Sequence, residues 1–380
     1  MHLPGSMRGK SIRDLLFEAQ RIAFGPMMFH AAVQLRDLGF LAALKEAGPA
    51  GLGAEEAAQK AGVSLYGARV LLEAGLSLEM VELIGKGGGG GSEAEEPRAE
   101  GRDGERYAIT RLGMLVLKDN MTRANMDFVR DVCYRGMAHL EEAIRTGKPA
   151  GLKVFGEWPT VYEALSELPP GVQESWFRFD HYYSDSAFPA ALPLVFRDKP
   201  ARLLDVGGNT GKFAIRCAQH DPEVQVTILD LPGQLAKAAE AVGAAGLAGR
   251  IDGHPIDLLD ATQPFPGGHD VVWMSQFLDC FPEEDIVHLL RRGAAALADG
   301  GSLYILETYW DRQQNPAGAY CLHATSLYFT CMANGTSRMY HSRDMRKCVE
   351  AAGLRVEEDI DGLGISHTLF RCRPAAPRAR

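Results

Sequence analysis

The chain has 380 residues, 46% of them hydrophobic, which suits two domains of ordinary size better than one small core. A formal net charge of -9 gives no electrostatic reason to expect a nucleic-acid partner, and no apolar run approaches the ~20 residues of a membrane span. Seven cysteines, an odd number without a CxxC pair, fit reduced cytoplasmic thiols better than a disulfide framework or a zinc site. The opening MHLPGSMRGK carries charge with no apolar stretch behind it, so no secretory signal is expected, and the residues before Met7 are set aside.

From Ser11 to Leu44 apolar residues recur at helical spacing, with Pro26 marking a break. Residues 51–83 read as a helix, a turn at Gly62 and a second helix that the Ser64 hydroxyl can cap. The Gly- and Glu-rich tract 85–106 has almost nothing apolar to bury and is expected to be a disordered loop. VELI before it and YAIT after it can pair as a hairpin, which completes a winged-helix pattern. A DNA-binding role is disfavoured, because the second helix sets Arg69 against Glu73, Glu79 and Glu82 and phosphate would be repelled. A scaffold reused for dimerisation is the better reading. The sequence thus divides into 11–110, a winged-helix-like unit; 111–200, a helical, aromatic-rich connector; and 201–374.

From Ala201 strands and helices alternate: ARLLDV, VQVTILD, RIDGHPIDLL, HDVVWMSQ and SLYILET, with an amphipathic helix over PEEDIVHLLRRGAAALADGG that a Gly-Gly pair should stop. Such repeats specify a parallel sheet covered on both faces, with ligands at the carboxyl ends of its strands. At those ends stand acids and glycines. Gly207, Gly208 and Gly211, with Asn209, form a turn that lets a ligand approach the backbone. Asp205, two residues before the turn, opposes a pyrophosphate and suits an ammonium group. Asp230, 25 residues later, is placed to take the two hydroxyls of a ribose. Asp257 can accept from an adenine amino group. Ammonium, ribose and adenine in that order describe S-adenosylmethionine, with Leu231 and Leu258 beside the two later acids.

LLDVGGNTG, ILDLP and GLGISHTLFRC resemble the class I methyltransferases, specifically small-molecule O-methyltransferases with an N-terminal dimerisation domain. The resemblance implies an α/β, Rossmann-like seven-stranded sheet with its last strand antiparallel, beside a mainly α-helical winged-helix domain. It also implies a homodimer and a pocket for a small methyl acceptor. It puts FDHYYSDS, with Tyr182 and Tyr183, at the methionine portion of the cofactor, and Ser275, Gln276 and Phe277 beside the adenosine and sulfonium. Many members carry a histidine base after the fourth strand. In SQFLDCFPEED that alignment sets Leu278 at the histidine and keeps Asp279 as its acidic neighbour. Three readings stay open: no base is needed, another base serves, or bound S-adenosylmethionine supports non-methylating chemistry. For the second, His323 is the candidate base, with His341 as a further histidine and Tyr320, Phe329 and Asn334 as pocket residues. No clustered His and acid ligands follow the fourth strand, so no metal is expected.

Overall fold

The computed structural model describes residues 10–84 and 104–375, which form two compact units, one ending at Asp127 and the other starting at Phe128. The loop expected over 85–106 lies almost wholly outside the described residues.

In the first unit, helices Ile12–Ala23, Gly25–Asp37 and Phe40–Ala47 replace the single apolar run. The first break falls at Phe24, so that Pro26 sits in the opening turn of the next helix, where its missing N–H costs nothing. The second break, not expected, is Gly39 with φ +86. Helices Ala54–Ala61 and Leu65–Ser77 flank Gly62, whose φ of +67 stops the first, and the Ser64 Oγ accepts from Gly67 N to cap the second. Strands β1 (Val81–Ile84) and β2 (Arg106–Ile109) pair antiparallel, Val81 opposite Ile109. Leu35, Phe40, Leu41, Leu44, Leu72 and Tyr107 fill the core between helices and hairpin. Arg69 lies 3.6 Å from Glu55, so the one cation of the would-be recognition helix already faces a carboxylate.

In the second unit, helices Pro170–Ser184 and Phe188–Val195 precede a seven-stranded sheet. Its strands are β3 (Arg202–Val206), β4 (Gln225–Asp230), β5 (Ile251–Pro255), β6 (His269–Ser275), β7 (Leu297–Glu307), β8 (Leu354–Leu363) and β9 (His367–Pro374). They lie in the order β5-β4-β3-β6-β7-β9-β8. Only the last, β9, runs against its neighbours, as expected. Leu203 packs on one face with Val226, Trp273 and Leu306, while Leu204 packs on the other with Leu229, Val272 and Leu303. Period-two alternation therefore buries apolar side chains on both faces, which explains the nearly continuous apolar runs. The helix expected up to Gly300 ends at Ala296. Leu297 instead begins β7, pairing with His269, and a register shift before Ser302 absorbs Gly300 at φ +79. The order reverses at β3, flanked by β4 and β6, and that crevice is where a ligand is accommodated in open α/β sheets.

Candidate active site

Asp205 ends β3 and turns the chain into Gly207–Gly211 and helix Lys212–His220. Gly207 has φ +71 and Gly211 φ +75; Asn209 holds φ +50, a conformation that Asn tolerates better than most side chains. The turn is fastened by Asp230 at the end of β4, whose Oδ2 accepts from Asn209 N at 2.8 Å and Oδ1 from Leu231 N at 2.7 Å. A carboxylate offers about four lone-pair positions, so two remain for a ligand. A Cβ at position 208 would lie 2.8 Å from Asp205 Oδ2, and one at 207 would lie 2.3 Å from the Phe277 ring. Glycine at both positions therefore lets Asp205, Ile228 and the Phe277 ring pack directly against the turn, where any side chain would force them aside.

Asp205 is 3% exposed, and its Oδ2 has no hydrogen-bond partner. Burial, and then the Asp230 charge, pushes its carboxyl up to about 7. The Ser275 Oγ and Asn209 Oδ1 are likewise buried without partners. Asp205, Gly207, Gly208, Asn209, Ser275 and Gln276 line one recess of about 70 Å³, together with Lys212, which pairs with Asp185 at 2.7 Å. A larger cavity of about 400 Å³ continues from Gly207, Asn209 and Gln276 past Asp230, Leu231, Asp257, Leu258 and Phe277. Gly211 and Tyr182 line neither; Gly211 packs its helix towards Ile228, and Tyr182 meets Tyr183 edge-on at 5.2 Å. Tyr183 itself lines the large cavity.

The far wall of this cavity is aromatic: Tyr162, Trp176, Phe179, Phe281, Tyr328 and Phe329. Trp176 Nε1 donates to the Tyr328 hydroxyl at 2.7 Å, and Phe128 stacks on Phe179 with centroids 4.0 Å apart. Hydrogen bonding and ring stacking fix these side chains and leave a slot fit for a flat ligand.

Beyond β6, Gln276 adopts φ +45 and the chain makes a tight turn through Leu278–Cys280. Glu307, ending β7, holds this turn: its Oε1 accepts from Phe277 N at 3.0 Å and Leu278 N at 2.9 Å. As a result Leu278 is fully buried in the core, and Asp279 is the residue that faces the cavity. Of these two neighbours, the aspartate rather than the leucine lines the cavity. Asp279 is 6% exposed, and its carboxyl is raised to about 6 chiefly by burial. The Cys280 Sγ at 3.6 Å is a weak donor to it. Burial, then the Asp279 charge, also raises Glu307 well above the carboxylate range. Asp180, from helix Pro170–Ser184, lines the same cavity and is pushed up to about 7, first by burial and next by Asp279.

The candidate base His323 does not join this group. It lies on the exposed side of helix Pro316–Tyr328 against Trp310, centroids 5.1 Å apart, and Tyr320 is 73% exposed on the same helix. His341 caps helix Ser342–Ala351, its Nδ1 accepting from Arg343 N. Phe329 and Asn334 do line the cavity. The Asn334 amide, however, donates to Cys280 O and Ser337 Oγ and accepts from Thr336 N and Ser337 N. Four bonds exhaust that amide, which makes Asn334 a brace for the wall. Sequence reading placed Tyr162, Trp176 and Asp180 only within the aromatic connector and FDHYYSDS, without a role of their own, and missed Glu307, an acid at a strand end like Asp205 and Asp230.

Residues 138–355 match the family described as an O-methyltransferase domain, and residues 17–86 match a Dimerisation2-like domain. The chain belongs to the O-methyltransferase family. It is 26% identical over 258 residues to an L-tyrosine C(3)-methyltransferase of Streptomyces lavendulae, covering 67% of this chain and 69% of that protein. It is 34% identical over 140 residues to a 3-hydroxy-5-methyl-1-naphthoate 3-O-methyltransferase of Streptomyces sahachiroi, covering 37% of this chain and 40% of the relative. The S-adenosylmethionine-dependent methyltransferase SibL, in its apo form, superposes with a TM-score of 0.69 at 25% identity, over 94% of this chain and 98% of the other. The methyl donor of this family is S-adenosylmethionine. The residues present fit it: Asp205 Oδ2 is a buried carboxyl oxygen without a partner for the ammonium, and Asp230 retains lone pairs for the ribose. Among the described residues no group of His, Cys, Asp and Glu is arranged to hold a metal, and no helix is long and apolar enough to cross a membrane.

Proposed function

We propose that the chain transfers a methyl group from S-adenosylmethionine to the oxygen of a small aromatic acceptor, with Asp279 as the base. One observation carries this reading: a buried carboxylate of raised basicity stands in an aromatic slot continuous with the cofactor recess. Bound S-adenosylmethionine supplies an activated methyl group on a sulfonium. The chain supplies the rest. Tyr162, Trp176, Phe179 and Tyr328 orient a flat ring and exclude water, and orientation alone accounts for much of such a rate. Asp279 takes the hydroxyl proton onto a carboxylate oxygen; a base with a pKa near the working pH is the efficient kind. Glu307 holds Asp279 in place through the two amides of the turn.

A phenolate is nucleophilic at oxygen and at its ortho carbon, and the atom facing the sulfonium decides which reacts. Carbon methylation is the second reading, supported by the relative named for C(3) methylation of tyrosine. Incubation of candidate phenols with labelled cofactor tests both, with NMR of the product locating the methyl. Turnover of an acceptor with no label in the product would exclude methyl transfer.

The division of labour follows the sequence reading: 11–110 for dimerisation, 111–200 for the pocket wall, 201–374 for the cofactor. Helix Ile12–Ala23 has no buried residue, and it exposes Ile12, Leu15, Leu16 and Ile22, an apolar face that supports a homodimer. Seven free thiols support a reducing, cytoplasmic compartment.

A further inference from the structure

The large cavity is one-sided in charge. Among its described lining residues there is no Lys, Arg or His, against Glu163, Asp180, Asp230, Asp257, Asp279 and Asp285. Asp230 and Asp257 are accounted for by ribose and adenine, and Glu163 is engaged by the Thr160 N and Oγ1. Asp180, Asp279 and Asp285 remain; Asp180 borders both the aromatic wall and the smaller recess beside Asp205. Asp279 is more than nine-tenths buried and lines the cavity, with the Cys280 thiol and its own backbone N–H as donors and no cation beside it. Asp180 forms no ion pair with Lys or Arg among the described residues, although the Lys212 charge acts weakly on it. Lys212 is held by Asp185 at 2.7 Å. His181 lies 3.7 Å away, but burial, and then Lys212, lower its pKa, so it is neutral at physiological pH.

We propose that the acceptor is a phenol bearing a protonated alkylamine, its ammonium received by Asp180 beside the aromatic wall while its hydroxyl faces Asp279. An ammonium group satisfies a carboxylate by a charge-assisted hydrogen bond and is attracted by the ring faces of Trp176, Phe179 and Tyr183. An aromatic carboxylate would instead meet two acids with no basic partner, a repulsion strengthened by the low dielectric of the slot. This separates the chain from its naphthoate-methylating relative and rests on the methyltransferase reading above.

The test uses the full-length protein saturated with S-adenosylhomocysteine and three ring-matched probes: tyramine, the neutral alcohol tyrosol, and the acid phloretic acid. Calorimetry should show tyramine binding at least about tenfold more tightly than the acid, with tyrosol between them. Asp180→Asn should reduce that ratio to about threefold or less, and Asp180→Glu should restore it. Equal or tighter binding of the acid, no binding of tyramine, or an unchanged ratio in Asp180→Asn overturns the proposal. Should Asp180→Asn not fold, the wild-type ratio and Asp180→Glu still decide. Failure of S-adenosylhomocysteine itself to bind would sink the methyltransferase reading first, and this proposal with it.

Discussion

Replacing Asp279 with Asn keeps the shape of the side chain and removes both the charge and the proton acceptor. Two opposite effects should follow. Methyl transfer should fall by about 10²-fold or more in kcat, the usual contribution of a positioned base, while affinity for S-adenosylhomocysteine stays unchanged. Stability should move the other way. Burial raises this carboxyl from 3.8 to about 6, so the folded state binds its proton more tightly than the unfolded state does. The stabilisation from that proton is fully present below pH 3.8 and is lost as pH rises through about 6. Above that window the ionised, buried Asp279 costs about 3 kcal/mol, which the amide does not pay. Asp279→Asn should therefore be more stable than wild type at pH 8, with the gap about 1 kcal/mol smaller at pH 5. Urea titrations of both proteins at the two pH values measure the gap, and single-turnover label transfer measures the rate. Wild-type kcat in the variant, or a stability gap that does not widen with pH, would refute the argument that this carboxylate is a strained base.

The other expectations concern the cofactor and the histidine. Asp230→Ala removes two ribose-facing lone-pair positions and the anchors of Asn209 N and Leu231 N, and should weaken S-adenosylhomocysteine binding about 100-fold by calorimetry. A change under about threefold would show that the ribose is held elsewhere. Gly208→Ala puts a methyl group 2.8 Å from Asp205 Oδ2 and from Ile228 Cγ2, so cofactor binding should drop at least about tenfold while circular dichroism reports an intact fold. His323→Ala should leave kcat/KM within about twofold, because the ring packs on Trp310 outside the cavity; a large loss would restore His323 as a base.

The cofactor half was legible in the sequence because its determinants are local. Asp205, the glycine turn and Asp230 lie within 26 consecutive residues, and each acid ends an apolar strand whose position the alternation of elements fixes. The same holds for the Ser64 cap and the hairpin in the first unit, where short-range spacing selects the structure. The reacting end was not legible, because the side chain a turn presents depends on what anchors it. Leu278 and Asp279 are adjacent in sequence. The turn is anchored to Glu307, about 30 residues away in another strand, and in it the leucine packs in the core while the aspartate lines the slot. The aromatic wall likewise draws Tyr162, Trp176 and Tyr328 from distant segments, and helical periodicity alone could not show that Leu322 faces the cavity while its neighbour His323 is exposed. Local spacing set acids and glycines at the carboxyl edge of the sheet; tertiary packing decided which acid lines the aromatic slot.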